Sequence, residues 1–328
     1  MEQKESVNNM RMTMRPTAVS LSLEAVFEKF LLFKQARNLS AESIAYYRNC
    51  YSFFAEFFGA ERPISDFSED IYYAYIRHLK QSRPNLRDIT LNSYLRGLRV
   101  ILYYAMELGY LPKQKLDMMK ADKDIKETYT DDELALLLKK PDIKKCSFAE
   151  YRNWVMVNYF LATGNRVSTV VNIRICDIDF TDGMISLTKT KNRKAQVVPL
   201  SQTMLRILQE YLAYRQGTPE DYLFCSQFGK PFTRDGVQSA IQDYNTRRGV
   251  TKTSVHLFRH TFAKKWILAG GDIFRLQKLL GHSSLDIVKE YVNIFGADLK
   301  EQYDAFNPLE NVYRSQNLET KKALGMKK

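Results

Sequence analysis

Three of the chain's four histidines, His256, His260 and His282, fall in the stretch from His256 to Tyr291. Arg259 lies among them, and Tyr291 follows His282 by nine positions. His256 and Arg259 are three residues apart, so on a helix their side chains share a face. An imidazole beside a guanidinium is costly among apolar neighbours. It is useful around a phosphate, whose oxygens take several charge-assisted hydrogen bonds at once. A tyrosine close to such a cluster is a candidate nucleophile.

Other groups in the chain could join this chemistry. Thr163-Gly164-Asn165 breaks a helix and leaves Arg166 at the start of the next, where backbone amides and a guanidinium point the same way and make an anion seat. The turn KTKNRK carries Lys189, Lys191 and Lys194, although a basic turn is ordinarily just solvated. Asp177 and Asp179 are two apart and would face the same way on a strand, which raises a divalent metal. No third ligand comes at a recognisable spacing, so the expectation is no metal and no cofactor. Each group also has a plain reading by itself: a core histidine, a surface arginine, one tyrosine among 20.

The elements that would hold these groups follow from apolar periodicity. Residues 1–20 read as a flexible tail. Residues 21–112 give four amphipathic helices: one from about Leu21, one capped by Ser40 and closed by Gly59, one over Asp66 to Leu79, and one over Ile89 to Leu108. On the fourth, Arg87, Asn92, Arg96 and Arg99 lie off the apolar stripe, free to meet a phosphate backbone or base edges, or simply water. Residues 113–127 are charged and poorly periodic and read as a linker. Residues 128–310 form a second domain, with a capping box at Thr130–Glu133 and a helix over Phe148 to Ala162. Three short strands follow (Asp177 to Phe180, Met184 to Thr188, Gln196 to Leu200), then helices over Gln202–Arg215, Arg234–Arg247, His256–Leu268 and Ile273–Leu280. Gly281 permits the turn that presents His282, and a further helix displays Tyr291. Residues 311–328 are a tail. The fold class is mainly α with a small three-stranded β-sheet.

Composition narrows the partners. With 328 residues, 45% hydrophobic and 12% aromatic, the chain reads as two ordinary folded domains. Lys and Arg number 49 against 37 Asp and Glu, a formal charge of +12 that favours a polyanion, most simply nucleic acid. Four scattered cysteines argue against a disulfide framework and for a reducing, cytoplasmic setting. No apolar run reaches membrane-spanning length, and the polar start lacks a secretory signal.

Taken together, His-x-x-Arg-His-Thr at His256–Thr261, Leu-Gly-His at Leu280–His282, Tyr291 and the earlier Thr-Gly-x-Arg at Thr163–Arg166 resemble the catalytic signature of the tyrosine recombinases, the phage integrase family. The resemblance runs from about Leu21 into the tail. It implies an all-α core-binding domain followed by an α+β catalytic domain, and a basic strap between them that lets the protein clamp a duplex. It implies Tyr291 as nucleophile, forming a 3′-phosphotyrosyl link. Arg166, Arg259 and His282 would lie on the phosphate, with His256 as base. Lys191, counted back from Pro199, would be the general acid, with Lys189 and Lys194 as competitors. His260 would sit behind the site as a structural residue, beside Thr169, which replaces the carboxylate many members carry. The implied partners are double-stranded DNA with a specific recombination site, three further copies forming a tetramer on that DNA, and an accessory DNA-bending protein. The compact layout looks more like the Xer-type members or mobile-element integrases than the larger phage integrases. The apolar stripe Leu299, Tyr303, Phe306 and Leu309 would dock on a neighbouring subunit or pack back in cis. Two rivals share part of the signature: a nicking-closing enzyme of topoisomerase IB type, and a catalytically silent DNA-binding regulator.

Overall fold

The structure is a computed structural model that describes residues 21–121, 127–188, 195–281, 291, 307–310 and 312–313. The chain divides into two compact units, Met1–Asp124 and Ile125–Lys328.

Four helices make the first unit: α1 (Leu23–Ala36), α2 (Ala41–Phe58), α3 (Glu69–Ser82) and α4 (Asp88–Glu107). Serine hydroxyls cap three of them, Ser22 on α1, Ser40 on α2 and Ser68 on α3, each accepting from an amide three residues on that would otherwise lack a partner. Apolar stripes at three- and four-residue spacing then meet in one core, with Leu23, Phe54, Tyr75, Leu95 and Leu102 fully buried. α2 and α4 approach so closely that a Cβ at Gly97 would stand 2.4 Å from Cys50 Sγ. Only glycine fits there.

The stretch after α4 departs from the expected extensible linker. As far as Met119 it is strapped to the helices. Leu116 is fully buried, and its amide donates to the Tyr103 hydroxyl at 3.2 Å. The Tyr72 hydroxyl donates to the Asp117 carbonyl at 2.9 Å. Asn92 turns inward, 8% exposed, and pairs with both backbone groups of Met119: its Nδ2 donates to the carbonyl at 2.9 Å, and its Oδ1 accepts from the amide at 3.1 Å. Asn92 is therefore corrected from a DNA-facing residue to a strap anchor. A primary amide is the side chain that can mimic a peptide group, which is why an asparagine serves here. Arg99 is half-buried and donates to the Tyr103 hydroxyl at 3.0 Å, so it too braces the strap. Burial pushes the Tyr103 phenol up, but the Leu116 amide and Arg99 outweigh it and hold the group below its usual value. Arg87 and Arg96 remain exposed.

The second unit is built on α6 (Phe148–Thr163), which is buried on every side. Around it pack α5 (Asp131–Leu138), α8 (Gln202–Arg215), α9 (Arg234–Arg247) and α10 (His256–Leu268). The expected capping box opens α5, with Glu133 donating its amide to Thr130 Oγ1 and accepting from the Thr130 amide. The short α7 (Val167–Val170) follows α6. Then comes an antiparallel sheet in the order β1 (Ile178–Asp179), β2 (Met184–Leu187), β3 (Gln196–Pro199), with Ile185 paired to Val198. The fold is mainly helical with one small sheet, as the sequence indicates. α11 (Ile273–Leu280) closes the described part of the unit. No helix among the described residues is long and apolar enough to cross a membrane.

The strap yields a test. Asn92→Ala removes two buried hydrogen bonds, so the chain should lose about 1–3 kcal/mol of stability. Trypsin should also cut faster after Lys115 and Lys120. A thermal melt and a digestion time course check this; no change in either would mean that the strap is held without Asn92.

Candidate active site

α6 ends where it must for the site to form. Gly164 adopts the left-handed conformation at φ 62°. A Cβ there would stand 2.7 Å from Phe262 and 2.8 Å from Leu280, so glycine also lets α10 and α11 close on the turn. Asn165 is buried and donates to the Tyr159 hydroxyl at 3.0 Å, which locks the turn from beneath. Arg166 then emerges, half-buried, at the start of α7.

The two arginines converge on one backbone oxygen. Arg259, on α10 and only 5% exposed, donates from Nη2 to the Leu280 carbonyl at 2.8 Å and from Nη1 to the Gly164 carbonyl at 2.8 Å. Arg166 donates from Nη1 to the same Leu280 carbonyl at 3.4 Å. Burial lowers the Arg259 guanidinium to about 10, and the Arg166 charge adds to the fall, while Tyr291 works against it. Burial lowers Arg166 as well, again opposed by Tyr291. Arg259 stays protonated at neutral pH. Two cations this close repel each other, so the pair favours an anion between them.

Tyr291 reaches this pair. It is 2% exposed, packed among Ala263, Leu276 and Leu280 with Phe262 and Trp266 at the edge. Its hydroxyl hydrogen-bonds with Arg259 and lies 2.8 Å from Nδ1 of His260. This corrects the placement of His260. It does not stand behind the site but against the Tyr291 oxygen. The displacement follows from helix geometry: His256 opens α10 and is exposed, whereas His260, one turn on, points where Arg259 and Tyr291 meet. Thr169 is buried on α7, its amide on the Arg166 carbonyl at 2.9 Å.

Lys191, its competitors Lys189 and Lys194, and His282 lie outside the described residues. Of the apolar tail stripe, Leu299, Tyr303 and Phe306 do too, while Leu309 is exposed. The Asp177 and Asp179 carboxylates are engaged locally, Asp177 with the Arg174 amide and Asp179 with the amides of Thr181 and Asp182. Among the described residues no group of three acidic, histidine or cysteine side chains is placed to hold a metal.

One contributor had no signal in the sequence. Gln196, the first residue of β3, donates from Nε2 to the carbonyls of Lys278 and Leu279, the latter at 3.0 Å. It thereby fastens the β2–β3 hairpin to the last turn of α11, next to the Leu280 carbonyl that both arginines use. A Cβ at Gly281 would stand 2.8 Å from Gln196 Oε1, so the glycine is needed for that approach as well as for its left-handed φ of 62°.

Comparison with known proteins gives the family of the chain. The pattern of the phage integrase family matches residues 127–296, and that of the phage integrase SAM-like domain matches residues 22–123. The chain belongs to the phage integrase family. Its relatives include tyrosine recombinase XerC of Roseiflexus sp. (strain RS-1), 28% identical over 79% of this chain and 85% of that one. Tyrosine recombinase XerD of Staphylococcus aureus (strain Mu50 / ATCC 700699) is 26% identical over 87% of this chain and 99% of its own. In fold the chain is similar to the Tn1549 transposon integrase in complex with transposon right end DNA, with a TM-score of 0.70, 18% identity, and coverage of 84% of this chain and 95% of that one. It is similar too to the XerH site-specific recombinase bound to its palindromic difH substrate, with a TM-score of 0.65, 22% identity, and coverage of 84% and 83%.

For this integrase-family member, Gln196→Leu should leave the fold intact and slow the formation of a covalent protein–DNA adduct about tenfold, the rate equivalent of losing roughly 1.4 kcal/mol of positioning. Adduct rate beside a thermal melt is the measurement. A rate unchanged by the substitution would disconnect the hairpin from the arginine pair.

Proposed function

We propose that the chain is a site-specific tyrosine recombinase that cleaves and rejoins DNA through a 3′-phosphotyrosyl intermediate at Tyr291. The observation that carries this reading is the Tyr291 hydroxyl hydrogen-bonded to Arg259, which shares the Leu280 carbonyl with Arg166.

A phosphodiester resists attack because it is anionic. Charge on its non-bridging oxygens must be neutralised as the fifth oxygen arrives. Arg166 and Arg259 supply that charge, each with a planar fork of donors suited to a phosphate. Tyr291 attacks phosphorus, and an imidazole of α10 takes its proton. The 5′-oxygen leaves with a proton from Lys191, which lies between β2 and β3 in the sequence. His282, next to Gly281, donates to the phosphate, and His256 at the head of α10 joins it. Because the phosphotyrosine conserves the bond, the reverse attack by a 5′-hydroxyl rejoins DNA without ATP.

Double-stranded DNA is the partner. The exposed Arg87 and Arg96 of the first unit and the overall charge of +12 suit its backbone. Four protomers on two sites would exchange strands in pairs, with an accessory bending protein where the site requires it. The reaction is the one common to integration, excision and resolution. The chain spans 85–99% of the XerC and XerD relatives, which supports recombination over the topoisomerase-like and silent-regulator readings.

The test uses a nicked duplex carrying the recombination site, sought in the DNA bordering the gene, run on a denaturing gel with a chelator present. The unaltered protein should trap a covalent adduct and Tyr291→Phe none. Equal trapping by both, or a need for added magnesium, would overturn the assignment.

A further inference from the structure

Tyr291 is held by an imidazole that the family signature leaves without a chemical task. Its hydroxyl and His260 Nδ1 are 2.8 Å apart, with ring centroids at 5.6 Å and planes inclined by 51°. The phenol is almost fully enclosed, so water has little access to carry its proton away. Among the described residues, the charged groups recorded acting on it are cationic. Arg259 shares α10 with His260 and hydrogen-bonds the phenol, and Arg166 acts on it from the turn after α6. Neither α10 nor α11 contains an aspartate or glutamate. The lysines of α10, Lys264 and Lys265, act on Asp131. A guanidinium has no lone pair to accept a proton, so within this set His260 is the acceptor in reach.

We propose that His260 is the proton acceptor and aligning group for the Tyr291 nucleophile, a role that rests on the recombinase reading above. The imidazole is neutral, with its hydrogen on Nε2 and its Nδ1 lone pair accepting from the phenol. As Tyr291 attacks, the Oη–H bond breaks and the proton passes to Nδ1, while the Oη electron pair forms the bond to phosphorus. The P–O5′ bond breaks, and its electron pair leaves on the 5′-oxygen, which takes a proton from the acid on its own side. During rejoining the 5′-hydroxyl loses its proton to that same group, the P–Oη bond breaks, and the imidazolium at His260 returns the proton to Oη. The two arginines stabilise the charge that develops on Oη and then on the phosphate oxygens. They also hold Nδ1 and Oη within hydrogen-bond distance, since Arg259 neighbours His260 in sequence and binds the phenol in space.

The test is the rate of adduct formation on the nicked duplex between about pH 6 and pH 10, a range that brackets free imidazole and phenol. His260→Asn keeps an acceptor near the Nδ1 position but cannot take a proton. It should fold, bind DNA as the unaltered chain does, and form adduct about 100-fold more slowly at neutral pH, the usual scale of a lost general base. Its rate should recover as pH rises toward the phenol's own range. A His260→Asn rate within threefold of the unaltered chain, with the same pH profile, would overturn the proposal. A second measurement does not depend on that variant folding. With His260 in place, fluorotyrosine at position 291 should leave the acid limb of the profile where it is. An acid limb that moves down with the phenol would mean that the tyrosine ionises by itself, which also overturns the proposal. Tyr291→Phe run alongside separates the two claims: adduct from that variant defeats the recombinase reading, whereas a silent Tyr291→Phe beside an unaffected His260→Asn defeats only the role of His260.

Discussion

The Leu280 carbonyl accepts from Arg259 at 2.8 Å and from Arg166 at 3.4 Å, and much of the second unit can be traced to that shared oxygen. Two guanidiniums do not come together spontaneously. Each carries a charge that burial penalises, and each raises the cost of the other, which is why Arg259 loses its proton more easily than a free arginine. Backbone carbonyls at the ends of helices offset this. The last carbonyls of a helix lack partners within the helix and carry the negative end of its dipole. α6 offers Gly164 and α11 offers Leu280, and both are used by Arg259. The arginines are thus positioned by groups whose hydrogen-bonding capacity the fold would have had to satisfy anyway.

This arrangement explains why glycines stand where they do. A side chain at Gly164 would strike both Phe262 and Leu280, and one at Gly281 would strike Gln196. Either would push α11 away from the arginines. The chain accepts two left-handed residues at the cost of some backbone entropy, and gains helix ends that point their carbonyls at cations.

What the sequence made legible was mostly local. The Ser40 cap, the Thr130 box, the stripes of the four-helix unit and the helix breaks at Gly164 and Gly281 depend on residues within a turn of each other, and each has a chemical marker. The pairing of Arg166 with Arg259 was legible only through a family pattern, because their common acceptor lies 114 and 21 residues away and is a backbone atom. Asn92 and Arg99 were misread for a related reason. Polar residues off an apolar stripe are usually solvated, but here the chain folds back and covers them, and nothing in the charged run from Lys113 signals that Leu116 will be buried. Gln196 and Lys278 are 82 residues apart and meet through a side-chain amide and a carbonyl, a contact with no sequence marker at all.

His260 shows the same limit inside the motif itself. Spacing says that His256 and Arg259 share a face; it does not say which imidazole the tyrosine will meet, since that depends on how Tyr291 packs onto α10. The apolar contacts decide it. Ala263, Leu276 and Leu280 seat the Tyr291 ring, Phe262 and Trp266 border it, and its hydroxyl then falls beside His260. Burying a phenol to this depth would ordinarily make it a poorer nucleophile, because desolvation disfavours its anion. Placing the oxygen beside two guanidiniums acts in the opposite direction, and the raised tendency of both arginines to hold their protons near an ionised Tyr291 is the other half of the same interaction. In the proposed reaction, a site organised this way keeps the Tyr291 oxygen out of water and still reactive toward a phosphate, because the charges that stabilise the attacking oxygen are those that receive the negative charge once it has moved to phosphorus.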